Sequence, residues 1–391
     1  MMRNQIFPRL TLSALVLAAG AVTVLAQQTA GNQPASKPDA KPASAIKTPA
    51  HAVLLEVTVR DKKGGLVPSL DKSGLDLTED GRPQTIQSFT LKADEPYKLG
   101  LLVQTSHSVG SALPEVGKSA DQFVDTMLPA EPVGKGGDKA FLIHFDRQVE
   151  LLEDFTPSRD KLHSELDQLS ATHQNRDDSQ GPETTGDDRE RPTRARNASQ
   201  LYDAIFLACD ELMKHQEGRM ALVVFSDGVD SGSKDTLNDA VDAADRAGVE
   251  IYTIYMKGQQ QEDNFGNNGR RRGGFGYPGG GGGYPGGGGG GYPGGGGQRR
   301  ESKPIVDGKK IMEEIARRTG GHAYEAKKRD ELGPIYKLIA EELRAQYLLT
   351  YTPDKPDNDG GYHKLVLKAN KGDLQVVTRE GYYAPGGVDS K

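Results

Sequence analysis

Four apolar runs constrain this chain more than any other feature: "KLGLLV" (98–103), "KAFLIHF" (139–145), "MALVVF" (220–225) and "VEIYTIYM" (249–256). Each has strand length and is apolar on both faces, so each must be covered on both sides. Between and after them lie segments with helical spacing. Residues 109–128 place Leu113, Val116, Phe123, Val124 and Met127 on one face, with Pro114 in the first turn. "SRDKLHSELDQL" reads as a helix capped by Ser158. "SQLYDAIFLACDELMKH", "TLNDAVDAADRAG" (stopped by Gly248), "GKKIMEEIARRTGG" and "ELGPIYKLIAEELRAQ" complete the helical set. Strands alternating with helices predict an α/β fold, a doubly wound and mostly parallel sheet with helices on both faces. In such sheets ligands sit beyond the C-terminal strand ends. Two polar clusters fall there, "QTSHS" (104–108) and "FSDGVD" (225–230).

The flanks read differently. "AVLLEVTVRD" (52–61) alternates, with Leu55, Val57 and Val59 on one face and Glu56, Thr58 and Arg60 on the other, as in a half-buried strand. Asp80-Gly81 between two alternating runs signals a hairpin. Residues 51–95 are therefore expected to form a small N-terminal β unit. Alternation returns over 346–386 in "YLLTYTP", "YHKLVLKAN" and "LQVVTREGYYAP". Three short strands are poorly stable alone. They are expected to pair with the 51–95 unit, leaving the α/β domain, 96–345, inserted in a small β module built from both chain ends.

Composition marks the remaining segments. Residues 172–197 are polar and charged without apolar periodicity. Residues 258–304 hold a Gly-rich block in which Tyr277, Tyr284 and Tyr292 each precede Pro. Neither composition buries enough apolar surface to form a core, and both are expected to be disordered insertions. Residues 27–50 read as a disordered linker. Residues 1–26 place Arg3 and Arg9 before an apolar stretch ending in small residues, the pattern of a secretory signal peptide. The expectation is an exported protein, periplasmic or extracellular, with no transmembrane anchor in the mature chain. The chain has one cysteine, so it forms no intrachain disulfide, and Cys209 falls on an apolar helix face as a core residue. A net charge of −6 argues against a nucleic-acid partner.

Ser106 and Ser108 alternate after the first apolar run, and Asp227 ends another. Ser199 stands at the start of a helix. Hydroxyl and carboxylate oxygens of this kind suit a hard cation. With "LYDAI", "RRTGGHAYEA" and the "YLLTYTP … TREGYYAP" tail, the chain resembles von Willebrand factor type A (VWA) domains. More narrowly, it is similar to a VWFA-related family of exported bacterial proteins. The resemblance spans roughly residues 51–386, insertions apart, and implies a VWA/Rossmann-like fold. It also implies a metal-ion-dependent adhesion site (MIDAS) of the pattern Asp-x-Ser-x-Ser, Thr and Asp. Carried over, these positions are Gln104, Ser106, Ser108, Ser199 and Asp227. Ser replaces Thr with its hydroxyl kept, and Gln replaces the first Asp with its charge lost. The implied site is degenerate, holding Mg²⁺ or Mn²⁺ weakly or not at all.

His107, between the two serines, offers a lone imidazole, which reads as a solvated loop residue rather than a transition-metal ligand. Ser106 and Ser226 lack the G-x-S-x-G elbow of a serine hydrolase. The function expected is a non-enzymatic, exported protein-binding or adhesion module with an extracytoplasmic protein ligand. The alternatives are a structural envelope or assembly component acting through the Gly-Tyr-Pro segment and β module, and, more remotely, a hydrolase.

Overall fold

The computed structural model describes residues 52–91, 96–130, 137–177, 199–258, 307–355 and 360–384. The expected signal peptide and linker, and all but the margins of the two insertions, lie outside these residues. The chain begins with β1 (Val53–Asp61), β2 (Leu75–Glu79), β3 (Arg82–Gln84) and β4 (Ile86–Leu91). The α/β portion follows as β5 (Tyr97–Gln104), α1 (Leu113–Met127), β6 (Lys139–Phe145), β7 (Val149–Thr156), α2 (Arg159–Asp177), α3 (Leu201–Leu207) and β8 (Arg219–Ser226). It continues through α4 (Leu237–Ala247), β9 (Glu250–Tyr255), α5 (Gly308–Thr319), β10 (Ala323–Glu325) and α6 (Leu332–Arg344). The C-terminal strands are β11 (Tyr347–Tyr351), β12 (Tyr362–Ala369), β13 (Leu374–Val377) and β14 (Gly381–Tyr383).

The six-stranded sheet runs β10-β9-β8-β5-β6-β7, parallel except for the antiparallel edge pair β6–β7. It is the doubly wound arrangement that the apolar runs require. On one face Leu99, Leu101 and Val103 of β5 join α1, α2 and α6 in one core; on the other Leu102 joins α3, α4 and α5 in a second. Gly100 lies between them, where a side chain would collide with Leu222 and Phe141. The helix signals are met locally. Thr236 and Asp239 form a reciprocal capping box at the start of α4, and left-handed Gly248 (φ 71°) ends it.

Three local expectations need correction. Residues 172–177, assigned to a disordered insertion, continue α2. Once Leu162 and Leu166 are seated in the core, each further helical residue adds a hydrogen bond at low cost. The helix expected over 199–215 changes pitch after Leu207 to a π-turn over Ala208–Met213, where the Lys214 N–H donates to the Cys209 carbonyl (2.9 Å). The last alternating run is two strands, β13 and β14. Between them the chain leaves the ladder to dock: the Thr378 hydroxyl donates to the Glu56 carbonyl (2.8 Å), and the Glu380 N–H to that of Arg318 (3.1 Å).

The flanks interleave. One sheet is ordered β13-β1-β11-β4 and the other β14-β12-β2-β3, enclosing a third core around Leu55, Val57, Leu77, Leu349 and Leu365. Beyond the β2–β3 hairpin at Asp80-Gly81 (φ 48° and 78°), the N-terminal strands pair with C-terminal ones. The "polar" face of β1 is largely covered rather than open to water. Thr58 is buried, Glu56 pairs with Arg379 (3.3 Å), and Arg60 pairs with Glu342 of α6. This is a seam between the β module and the base of the six-stranded sheet. At its centre lies Gln346, fully buried. Its Oε1 accepts from the Tyr97 hydroxyl (2.7 Å) and from Arg219 (2.8 Å), and its Nε2 donates to Glu250 (2.7 Å) and the Tyr252 hydroxyl (3.0 Å).

Candidate functional site

β5 and β8 are adjacent, and from them the chain winds toward opposite edges: β5 leads through α1 to β6, and β8 through α4 to β9. Their C-terminal ends form the sheet's switch point, where loops diverge and leave a crevice. Gln104 is the last residue of β5, Ser226 is the last of β8, and Asp227 follows it directly. Gln104, Ser106, Ser108 and Asp227 converge here, all buried.

Their hydrogen bonds run in one direction. The Asp227 backbone N–H donates to Gln104 Oε1 (3.0 Å), which identifies that end of the carboxamide as the oxygen. The Ser226 hydroxyl donates to the same oxygen (2.6 Å) and accepts from the Gly228 N–H (2.9 Å). Gln104 Nε2 therefore faces the serines and donates to Ser106 Oγ (2.6 Å), with Ser108 Oγ at 3.5 Å. Ser106 and Ser108 are bonded to each other (2.9 Å), and Ser108 donates to Asp227 Oδ2 (2.6 Å). Asp227 Oδ1 accepts from the Val229 N–H (3.0 Å). Burial pushes the Asp227 carboxyl above its ordinary range, against the hydrogen bonds from Ser108 and Val229 that favour its charged form.

Ser199, the fifth position, precedes α3 and is tied to the loop after Asp227: the Ser231 N–H donates to its carbonyl (3.0 Å). Its hydroxyl is fully buried and has no hydrogen-bond partner among the described residues. His107 is exposed, outside the buried cluster. Cys209 is buried among α3 and α4 residues, and burial pushes its thiol far up, so it is a core residue.

Three participants were not assigned to the site from sequence. Ser226, which as a sequence offers only a nucleophile's hydroxyl, donates that hydroxyl to Gln104. Gly258 and Gly308 bracket Asp227. A side chain on Gly258 would set its first carbon 2.8 Å from Asp227 Oδ2 and 3.0 Å from Ser108 Cβ, and one on Gly308 would strike the Asp227 carbonyl. Glycine at a strand exit and at a helix start was the only available signal, and it names no neighbour.

The donor set does not suit a hard divalent cation. Asp227 is the one carboxylate bonded into the cluster, the oxygens of Ser106 and Ser108 are engaged with each other, and an amide N–H₂ points at them. Mg²⁺ takes carboxylates and retained water, and an inward N–H donor opposes it.

The strand order, with both polar strand ends meeting at the switch point, decides the architecture. The α/β portion has a VWA-like fold. No protein-family model matches the chain, and neither does any curated protein. Among solved structures it is similar to proximal thread matrix protein 1 of the mussel byssus, at 11% identity over 74% of this chain and 50% of that one, TM-score 0.40. Another crystal of that protein has a zinc-occupied MIDAS motif (12% identity, 68% and 50% covered, TM-score 0.41). It is also similar to the vWF domain of the pilus tip protein Mfa5 of Porphyromonas gingivalis (11% identity, 64% and 95%, TM-score 0.38). A third similarity is to BatB of Bacteroides thetaiotaomicron (15% identity, 63% and 99%, TM-score 0.37). The chain spans about half the length of the mussel protein.

Proposed function

We propose that this chain is an exported, non-enzymatic protein-binding module whose partner, an extracytoplasmic protein, docks on the loops around the C-terminal ends of β5 and β8. The observation that carries this reading is the buried cluster itself. It fixes the bases of the 105–112 and 227–236 loops to one point, so that His107, Ser231 and Lys234 stand exposed on a rigid support. Rigid loops on a sheet end make a recognition surface with little ordering cost on binding. The non-enzymatic reading is supported by the engagement of each candidate nucleophile. Ser226 donates to Gln104, Ser106 accepts from Gln104 and is bonded to Ser108, and among the described residues the hydrogen bonds of the cluster include no imidazole.

The test is capture from an envelope extract by the immobilised mature chain. Partner capture lost in a His107→Ala, Lys234→Ala double variant of unchanged stability supports the module. Capture that survives this change but disappears when residues 275–297 are deleted supports the alternative, a structural component acting through its Gly-Tyr-Pro segment. Hydrolysis of the captured protein would overturn the non-enzymatic reading.

A further inference from the structure

We infer that the carboxamide of Gln104 does the cross-linking that a cation would do at this switch point, so that the apex is held together without metal. A cation there would draw the serine hydroxyls of one strand end and the carboxylate of the other onto a single centre. The same two ends are already joined through Gln104. Its oxygen collects the Ser226 hydroxyl and the Asp227 N–H from β8, and its nitrogen donates to Ser106 on the side of β5. From Ser106 the chain of donors continues through Ser108 to Asp227 and so closes a loop.

An ion entering this loop would have to break the Ser106–Ser108 and Ser108–Asp227 bonds and face the amide hydrogens. It would gain one carboxylate. The Gly258 backbone also comes close, since a β-carbon on it would lie 2.8 Å from Asp227 Oδ2. Ser199 adds one neutral oxygen and no charge. Neutral amide for carboxylate thus changes the kind of cross-link, from ionic to hydrogen-bonded. The inference concerns the site of the proposed function, but its test involves no partner, so the two can fail separately.

The experiment is a calorimetric titration of the full exported chain with Mg²⁺ and Mn²⁺ at millimolar concentration, with melting curves in each ion and in EDTA. The expected result is no binding heat and no shift in melting temperature. Binding in the micromolar range, or loss of stability in EDTA, would overturn the inference. Gln104→Asp supplies the second half. It is expected to be less stable than wild type in EDTA and to recover in Mg²⁺ or Mn²⁺, while a folded variant indifferent to both ions would sink the role given to Gln104. Should that variant not fold, the wild-type chain suffices. The side-chain amide resonances of Gln104 are expected to stay sharp in Mn²⁺, and selective broadening would place the ion beside it.

Discussion

Two buried glutamines sit at opposite ends of the same sheet and use the same carboxamide differently. Gln104 lies at the C-terminal strand ends and joins neutral hydroxyls, one N–H and, through Ser108, one carboxylate. Gln346 lies at the N-terminal ends, where Tyr97, Arg219 and Glu250 open β5, β8 and β9, and it stands between a guanidinium and a carboxyl. The apex cluster stays within the α/β portion. The basal cluster joins that portion to the β module through Gln346 itself, which leads into β11, and through the buried face of β1. The lesson is that an amide's two-sidedness, acceptor at one end and donor at the other, can order loops or fasten two modules, according to what charge lies beyond it.

The comparison predicts the larger loss at the base. Gln346→Leu takes one buried partner each from Arg219, Glu250 and the Tyr97 and Tyr252 hydroxyls, while Arg219 and Tyr97 keep the Leu343 carbonyl. A buried group that loses its hydrogen-bond partner costs about 1–3 kcal/mol, more where it is charged, and four groups are affected here, so the largest loss of stability is expected at this position, to be read from denaturant midpoints. A loss under about 1 kcal/mol, the size of an ordinary hydrogen bond, would break the contrast. Asp245 sharpens it next. This residue of α4 is buried, its Oδ2 has no hydrogen-bond partner among the described residues, and it is faced by Arg379, Arg318, Asp242 and Glu380. Burial raises its carboxyl to about 7 from an ordinary 3.8. The unfolded chain therefore ionises it first, and stability falls as pH rises from about 4 to about 7 and is flat above. At about 1.4 kcal/mol per pH unit the upper bound is about 4 kcal/mol. Asp245→Asn should remove that slope and be the more stable protein at pH 8; an unchanged pH profile would show that the two arginines already neutralise the charge.

At the apex, Gln104→Leu leaves the Ser226 hydroxyl and Asp227 N–H without their acceptor. Each unsatisfied buried group costs about 1–3 kcal/mol, and two β8 groups lose their acceptor here against four groups that lose a partner at Gln346, so the expected loss is smaller than at Gln346. If the Gln104 variant proved the less stable of the two in the same denaturant series, the ranking of base over apex would be wrong.

The sheet was legible because its strands are apolar on both faces, a pattern that few other arrangements can bury. The flanking hairpin was legible because Asp80-Gly81 accepts the positive φ that a tight turn demands. Gln104, Ser106, Ser108 and Asp227 could be grouped because strand ends bring distant segments together at a place fixed by topology. Other parts depend on facts that no local pattern carries. Alternation along β1 shows that Glu56, Thr58 and Arg60 share a face, but whether water or another module covers that face is settled by residues far along the chain, such as Gln346 against Thr58, 288 positions away, and Arg379 against Glu56, 323 away. Gln346 follows a helix, where a polar residue ordinarily meets solvent. Gly258 and Gly308 matter through the path of a chain crossing above Asp227, and glycine alone does not say what it approaches.

Ser199 gives the smallest effect and separates the two kinds of cross-link most cleanly. Its hydroxyl is buried beside the loop that follows Asp227 and meets no partner among the described residues. If the apex is held by hydrogen bonds through Gln104, that hydroxyl contributes nothing to it and carries an uncompensated desolvation cost. Ser199→Ala, which keeps the backbone bonds to Ser231, should then be neutral or stabilising by about 1 kcal/mol, with the same value in Mg²⁺ and in EDTA. If a cation instead completes the site, the same change removes one of its ligands. The variant would then be destabilised in Mg²⁺ and match wild type in EDTA. Melting curves of the two proteins in the two buffers distinguish the cases, because the metal-free apex predicts no interaction between the substitution and the ion.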